Sequence, residues 1–107
     1  MLHDFLNNDN KFGILFTKFS GGYWREDLNK IIKSRLSPDL MTEEIKSVGW
    51  HHTESDSKVS KDGIDFKLEI SKFDDISLIL LSEATEENKQ KLRDWAAIIS
   101  TEVEKLK

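Results

Sequence analysis

Residues 64–70 read Ile64-Asp65-Phe66-Lys67-Leu68-Glu69-Ile70. Apolar and charged side chains alternate strictly along this stretch. Because successive side chains of a strand point to opposite faces, the period of two predicts a β-strand with one buried and one exposed face. The preceding Asp62-Gly63 pair suits the positive φ angles of a tight hairpin. The segment before the turn is therefore predicted to be an antiparallel neighbour of residues 64–70.

The chain on either side of this strand extends the pattern into a β-meander. It starts near Trp50, and Asp74-Asp75 marks its next turn. Ile76 to Leu81 is apolar enough for a central strand that is covered on both faces. Near the N-terminus, residues 12–19 are rich in aromatic and β-branched types, which predicts a fourth, buried strand.

Two segments have helical spacing. After a break at Ser20-Gly21-Gly22, one predicted helical face carries Trp24, Leu28, Ile31, Ile32 and Leu36. The second helix is predicted to start after a Thr85 cap, with Glu86 and Glu87 at the positive end of the helix dipole. Its length is about 20 residues. Its apolar stripe consists of Leu92, Trp95, Ala96, Ile99, Val103 and Leu106.

Residues 38–48 are ambiguous. Ser37-Pro38 resembles a helix cap followed by proline at the first helical position. A short helix through Leu40, Met41, Ile45 and Val48 is one interpretation, and a strand that starts near Glu44 is the other.

Together these elements predict a single α+β domain over residues 1–107. An antiparallel sheet of about four strands, including the meander, packs on one face against an amphipathic helix and a long C-terminal helix. The other face of the sheet would expose the polar residues of the meander.

Composition excludes several classes of protein. The chain has no cysteine, which rules out disulfide scaffolds, zinc–thiolate sites and cysteine nucleophiles. Its apolar runs are far shorter than the ~20 residues of a membrane span, and residues 1–4 do not begin a signal peptide. We expect a cytoplasmic protein without a membrane partner.

Charge is unevenly distributed. Residues 11–36 carry six Lys/Arg and two acids, whereas residues 39–83 carry eleven acids and five lysines. A concentrated acidic segment disfavours nucleic acid as the partner, because phosphate contacts need clustered cations. Such a segment instead steers the approach of a basic protein.

The predicted partner-binding residues are the acids of the meander, with one aromatic anchor at its start. Trp50 is that anchor, since tryptophan is favoured at interface hot spots. The acids proposed to contact the partner are Glu54, Asp56, Asp62, Asp65, Glu69, Asp74 and Asp75, and Glu83 adds to the same field. The alternative interpretation is a charged sheet face that only maintains solubility.

Other chemistry has weaker support. His52, Glu54 and Asp56 would share one strand face, but metal sites usually recruit ligands from separate elements, so we expect no metal. Ser20-Gly21-Gly22 with Arg25 offers a short anion-binding turn, without a P-loop or GxGxxG pattern. No nucleophile elbow is present, and sequence-adjacent carboxylates do not form an acid–base pair. We expect no catalytic residues and no cofactor.

In its size, lack of cysteine, acidic meander and α+β layout, the chain resembles the small acidic bacterial immunity proteins of contact-dependent inhibition and colicin-like toxin systems. The resemblance implies a cytoplasmic protein that binds a cognate toxin domain, often a basic nuclease, and blocks its active site or substrate surface. We expect a monomer or weak dimer. An acidic secretion chaperone and a small nucleotide- or phosphate-binding protein are the alternatives.

Overall fold

The computed structural model describes residues 2–17, 21–48, 53–71 and 75–105. Two helices, α1 (Gly21–Ile31) and α2 (Glu86–Glu104), accompany one sheet. The six strands of the sheet are β1 (Leu2–Leu6), β2 (Phe12–Phe16), β3 (Leu40–Val48), β4 (Thr53–Lys61), β5 (Ile64–Ile70) and β6 (Ile76–Leu80). No helix in these ranges is both long enough and apolar enough to cross a bilayer.

The sheet is antiparallel throughout, in the order β1-β2-β6-β5-β4-β3. The predicted α+β class is confirmed, but the predicted number of about four strands is wrong. The two additional strands, β1 and β3, are the two edges. Both were hard to predict because an edge strand on an open sheet buries little apolar surface and has no clean alternation.

Both helices pack against the same face of the sheet. The main sheet contacts of α1 are with β4 and β5, and those of α2 are with β2 and β6. Alternate strand residues that point at the helices form the core, while the residues between them point to the opposite face, which we call the outer face. The largest core side chains include Phe66, Ile14, Leu68, Ile76 and Leu78.

The first helix has the predicted buried stripe at Leu28, Ile31, Ile32 and Leu36. It begins at Gly21, so the predicted break between strand and helix does not extend over the glycine pair, which is helical. A π-helical segment, Ile32–Leu36, continues α1.

Ser37 ends this helical run and does not cap a new one. Its φ of 48° is left-handed, so the chain turns away at this point and Pro38 follows outside the helix. The helical interpretation of residues 38–48 is therefore wrong, and the segment is strand β3. Leu40 and Ile45, which suggested a helical face, are both exposed on this edge.

Two local predictions are confirmed at the ends of elements. Asp62 and Gly63 both have positive φ, 52° and 77°, and connect β4 to β5 as a two-residue hairpin. Thr85 caps α2, its Oγ1 accepting a hydrogen bond from the Asn88 backbone N–H at 3.1 Å. The predicted stripe of α2 is buried from Leu92 to Val103, and Leu106 lies outside the described residues.

Gly13 allows the two outer-face side chains beside it to close over β2. A Cβ at this position would lie 2.7 Å from Phe5 Cε1 and 2.8 Å from Ile79 Cδ1. We expect Gly13→Ala to lower the free energy of unfolding by about 1–3 kcal/mol, because the neighbouring side chains must move. Urea denaturation measures this loss. Phe5→Leu in the same chain should recover part of it, and equal stability of Gly13→Ala and the parent would contradict the assignment.

Candidate partner-binding face

A row of carboxylates crosses the outer face of the sheet. Glu44 on β3 lies opposite Asp56 on β4, and Asp56 lies opposite Glu69 on β5. Like charges directly opposite each other on neighbouring strands are destabilising. The row therefore needs cations beside it, and two lysines supply them.

Lys46 and Lys67 both bind the same oxygen of Asp56. Their Nζ atoms lie 3.0 Å and 3.3 Å from Asp56 Oδ2, and Lys67 Nζ also lies 3.1 Å from Glu69 Oε2. The Asp56 side chain is only 7% exposed, whereas that of Lys46 is 42% exposed. Asp56 is thus the buried centre of the network, and Lys46 is its solvent-facing member.

A β-bulge lies at Lys46. The β3–β4 register shifts between Ile45 and Ser47, which pair with Ser55 and Glu54 respectively, and Lys46 is the extra residue. Because Ile45 points to the helix face, alternation points Lys46 to the outer face, and the bulge leaves it without a residue directly opposite on β4. The hydrogen bond and charge of Asp56 raise the pKa of Lys46 above its ordinary value, so the lysine stays charged.

The other oxygen of Asp56 has a different environment. Asp56 Oδ1 is buried and has no hydrogen-bond partner among the described residues. Since leaving a buried acceptor unpaired costs free energy, the two lysines on Oδ2 are what make this buried carboxylate tolerable.

A second polar group lies further along the same face. Asp65 accepts a hydrogen bond from Ser60 Oγ at 2.6 Å, and its backbone N–H donates to Ser82 Oγ at 2.8 Å. Leu40 and Leu81 flank it across a shallow groove of about 230 Å³. The carboxylate is held in one orientation beside exposed apolar surface.

The structure brings together half of the predicted contact residues. Glu54, Asp56, Asp65 and Glu69 all lie on the outer face of neighbouring strands. Asp62 lies in the β4–β5 turn and Asp75 directly precedes β6, both exposed. Trp50, His51, His52 and Asp74 lie outside the described residues, so the roles assigned to Trp50 and Asp74 stay predictions.

Sequence reasoning missed the lysines and Glu44. Across β3, β4 and β5 the outer face carries five carboxylates and three lysines, so its negative excess is smaller than the acidic segment suggests. The alternation of Lys67 with Asp65 and Glu69 was a visible signal of this mixture. Glu44 and Lys46 could be placed only once residues 38–48 were known to be a strand.

Metal and anion sites gain no support from the geometry. Within the described residues, no three His, Asp or Glu side chains are grouped so that they could hold a metal ion. An anion-binding turn was proposed at Ser20-Gly21-Gly22. Both glycines are helical and do not form a loop, and Ser20 lies outside the described residues.

Comparisons with known proteins identify no relative. The sequence matches no protein-family model, and searches of curated proteins and of solved structures found no significant similarity.

Proposed function

We propose that the chain is a non-enzymatic protein-binding inhibitor, an immunity protein that neutralises a basic toxin domain such as a nuclease. One observation carries the proposal: the cross-strand row Glu44, Asp56 and Glu69, on the sheet face opposite the two helices. A row of carboxylates with fixed spacing complements arginine and lysine side chains that would otherwise contact nucleic acid phosphates.

The members of the row have different roles in this proposal. Exposed Glu44 and half-buried Glu69 contact the partner. Asp56 holds Lys46 and Lys67 in place and so positions its neighbours. Asp65 offers a fourth carboxylate beside the apolar Leu40 and Leu81, where the aliphatic part of a long cationic side chain can pack.

Charge reversal on this face tests the proposal. The partner is first identified by pull-down from the native host and then purified. We expect Asp65→Lys and Glu69→Lys each to slow its association about ten-fold or more at low salt and to flatten the salt dependence, because the carboxylates steer a basic partner. Stopped-flow measurements of the association rate at about 50 to 500 mM salt give both effects, because salt increasingly screens the charges over this range.

Asp9→Lys is the matched control. Asp9 is exposed in the β1–β2 turn, and its replacement makes the same change in net charge away from the outer face. The proposal fails if Asp9→Lys slows association as much as Glu69→Lys does. It also fails if the bound partner keeps its full toxic activity.

An acidic secretion chaperone is the second candidate, favoured by the unpaired edge of β3 among the described strands. A chaperone holds an extended segment of its client and leaves the activity of a folded domain unchanged. Inhibition of the purified partner domain therefore separates the two functions.

A further inference from the structure

The edge strand β3 offers backbone groups to a partner. It runs for nine residues, and on one side it pairs with β4. It is the last of the six described strands on that side of the sheet. An edge strand presents unpaired N–H and C=O groups that an extended chain can bind.

The open segment of this edge, meaning the regular part that no other described strand covers, is Leu40–Ile45. Over these six residues the register with β4 is continuous, and the bulge at Lys46 ends it. Six residues span about 20 Å, the length of an ordinary strand. At the opposite edge, the Asp4 carboxylate of β1 is held by Arg93 of α2 at 2.9 Å, so an inward charge protects β1.

Grooves flank β3 on both faces of the sheet. On the outer face, the groove beside Asp65 includes Leu40 and Thr42. On the helix face, a groove of about 460 Å³ includes Glu43 and Ile45 of β3, and its helical side carries Glu26, Lys30 and Lys33. Side chains of an added strand point alternately to the two faces, so each groove receives every second side chain. Leu40 is 61% exposed and Ile45 is 49% exposed, which provides apolar contact at both ends of the open segment.

The charges of β3 select the occupant. Glu43 and Glu44 lie near the middle of the strand, one on each face. A second copy of β3, paired antiparallel over Leu40–Ile45, would place Glu43 opposite Thr42 and Glu44 opposite Met41, so that neither carboxylate gains a cation. A segment with basic residues opposite Glu43 and Glu44 gains from the same positions.

We infer that β3 is a docking strand, which an extended segment of the partner protein joins as a seventh strand. That segment has basic residues at its centre and apolar residues beside Leu40 and Ile45. The inference rests on the proposed function, because it names how the basic partner is held in addition to its contacts with the outer face.

Synthetic peptides test the docking strand directly. The basic probe is the capped octapeptide Thr-Val-Arg-Lys-Thr-Val-Val-Thr. An acidic version replaces Arg-Lys with Glu-Asp, and a broken version places proline at the Lys position. Each is titrated into the full isotope-labelled chain while amide NMR shifts are followed. We expect the basic probe to shift the amides of residues 40–45 and to bind at least about ten-fold more tightly than the acidic probe. The broken version should not bind.

Substitutions at Glu43 sharpen this test. Asn29 Nδ2 donates to Glu43 Oε2 at 2.6 Å, and Glu43→Gln keeps an acceptor for it while removing the charge. We expect Glu43→Gln to weaken the basic probe several-fold and Glu43→Lys to make the acidic probe the tighter one. Loss of folding cannot produce such a reversal. Asp9→Lys, in the β1–β2 turn at the other edge of the sheet, should leave peptide affinity unchanged.

Three results would contradict the assignment of β3 as a docking strand. The first is amide shifts centred on β1, and the second is a Glu43→Lys variant that still prefers the basic probe to the acidic one. The third is concentration-dependent dimers of the chain that the basic probe does not dissociate. Its failure is distinguishable from failure of the proposed function. If Glu69→Lys abolishes partner inhibition while Glu43→Lys leaves it intact, the docking strand is wrong and the inhibitor function stands. If the probe docks on β3 but no inhibited partner exists, the inhibitor function is wrong.

Discussion

Replacing Phe66 with alanine is expected to cost about 3–5 kcal/mol of the free energy of unfolding. Phe66 is fully buried on the helix face of β5, between Val59 of β4 and Leu80 of β6. Its ring stacks on Trp95 of α2 with the centroids 5.2 Å apart. The substitution removes the contact that joins the middle of the sheet to the C-terminal helix and leaves a cavity there.

Domains of this size have a total stability of about 5–15 kcal/mol, so Phe66→Ala should remove between about a fifth and all of it. Urea denaturation followed by circular dichroism and tryptophan fluorescence measures the loss. Phe5→Ala is the matched control, because Phe5 is only half-buried on edge strand β1. A loss no larger for Phe66→Ala than for Phe5→Ala would contradict the assigned core.

Replacing both Lys46 and Lys67 with methionine is expected to cost about 3 kcal/mol at neutral pH. The double variant leaves Asp56 as a buried carboxylate without a cation, and breaking a buried ion pair in this way costs about 3–5 kcal/mol. The lower end applies because the Lys46 side chain is 42% exposed, so water reaches part of the network.

The loss should be traceable to the charge of Asp56. Urea denaturation of the parent and the variant at pH 7.5 measures it.

Asp56→Asn added to the double variant is the control. It removes the charge, so the triple variant should be more stable than the double variant at pH 7.5. If the triple variant is no more stable than the double variant, Asp56 is not the buried centre of the network.

The predictable parts of the fold are those in which local pattern and burial agree. Residues 64–70 alternate because one face of β5 packs on the helices, and Asp62-Gly63 has the backbone freedom that its hairpin requires. The Thr85 cap and the stripe of α2 are equally local. The edges were not predictable in this way, because β1 and β3 depend on strands distant in sequence for their partners and bury few side chains.

The candidate site shows the same limit. Alternation placed Asp65 and Glu69 on one face from sequence alone. The pairing of Glu44 with Asp56, and the approach of Lys46 to Asp56, depend on the β3–β4 register and its bulge. Charge counted along the chain therefore overestimated the net acidity of the face, since it could not show which lysines lie among the acids.

The position of β6 between β2 and β5 has a consequence for synthesis on the ribosome. Gly13 near the start of the chain pairs with Ile79, so the β1–β2 hairpin has no neighbour in the sheet until β6 has been made. At translation rates of about 5–20 residues per second, that interval lasts roughly 3–13 s. During this interval neither β6 nor α2 is available to cover the aromatic side chains of β2. The nascent chain therefore presents a hydrophobic hairpin to chaperones for seconds, and the sheet can close only after β6 has been made.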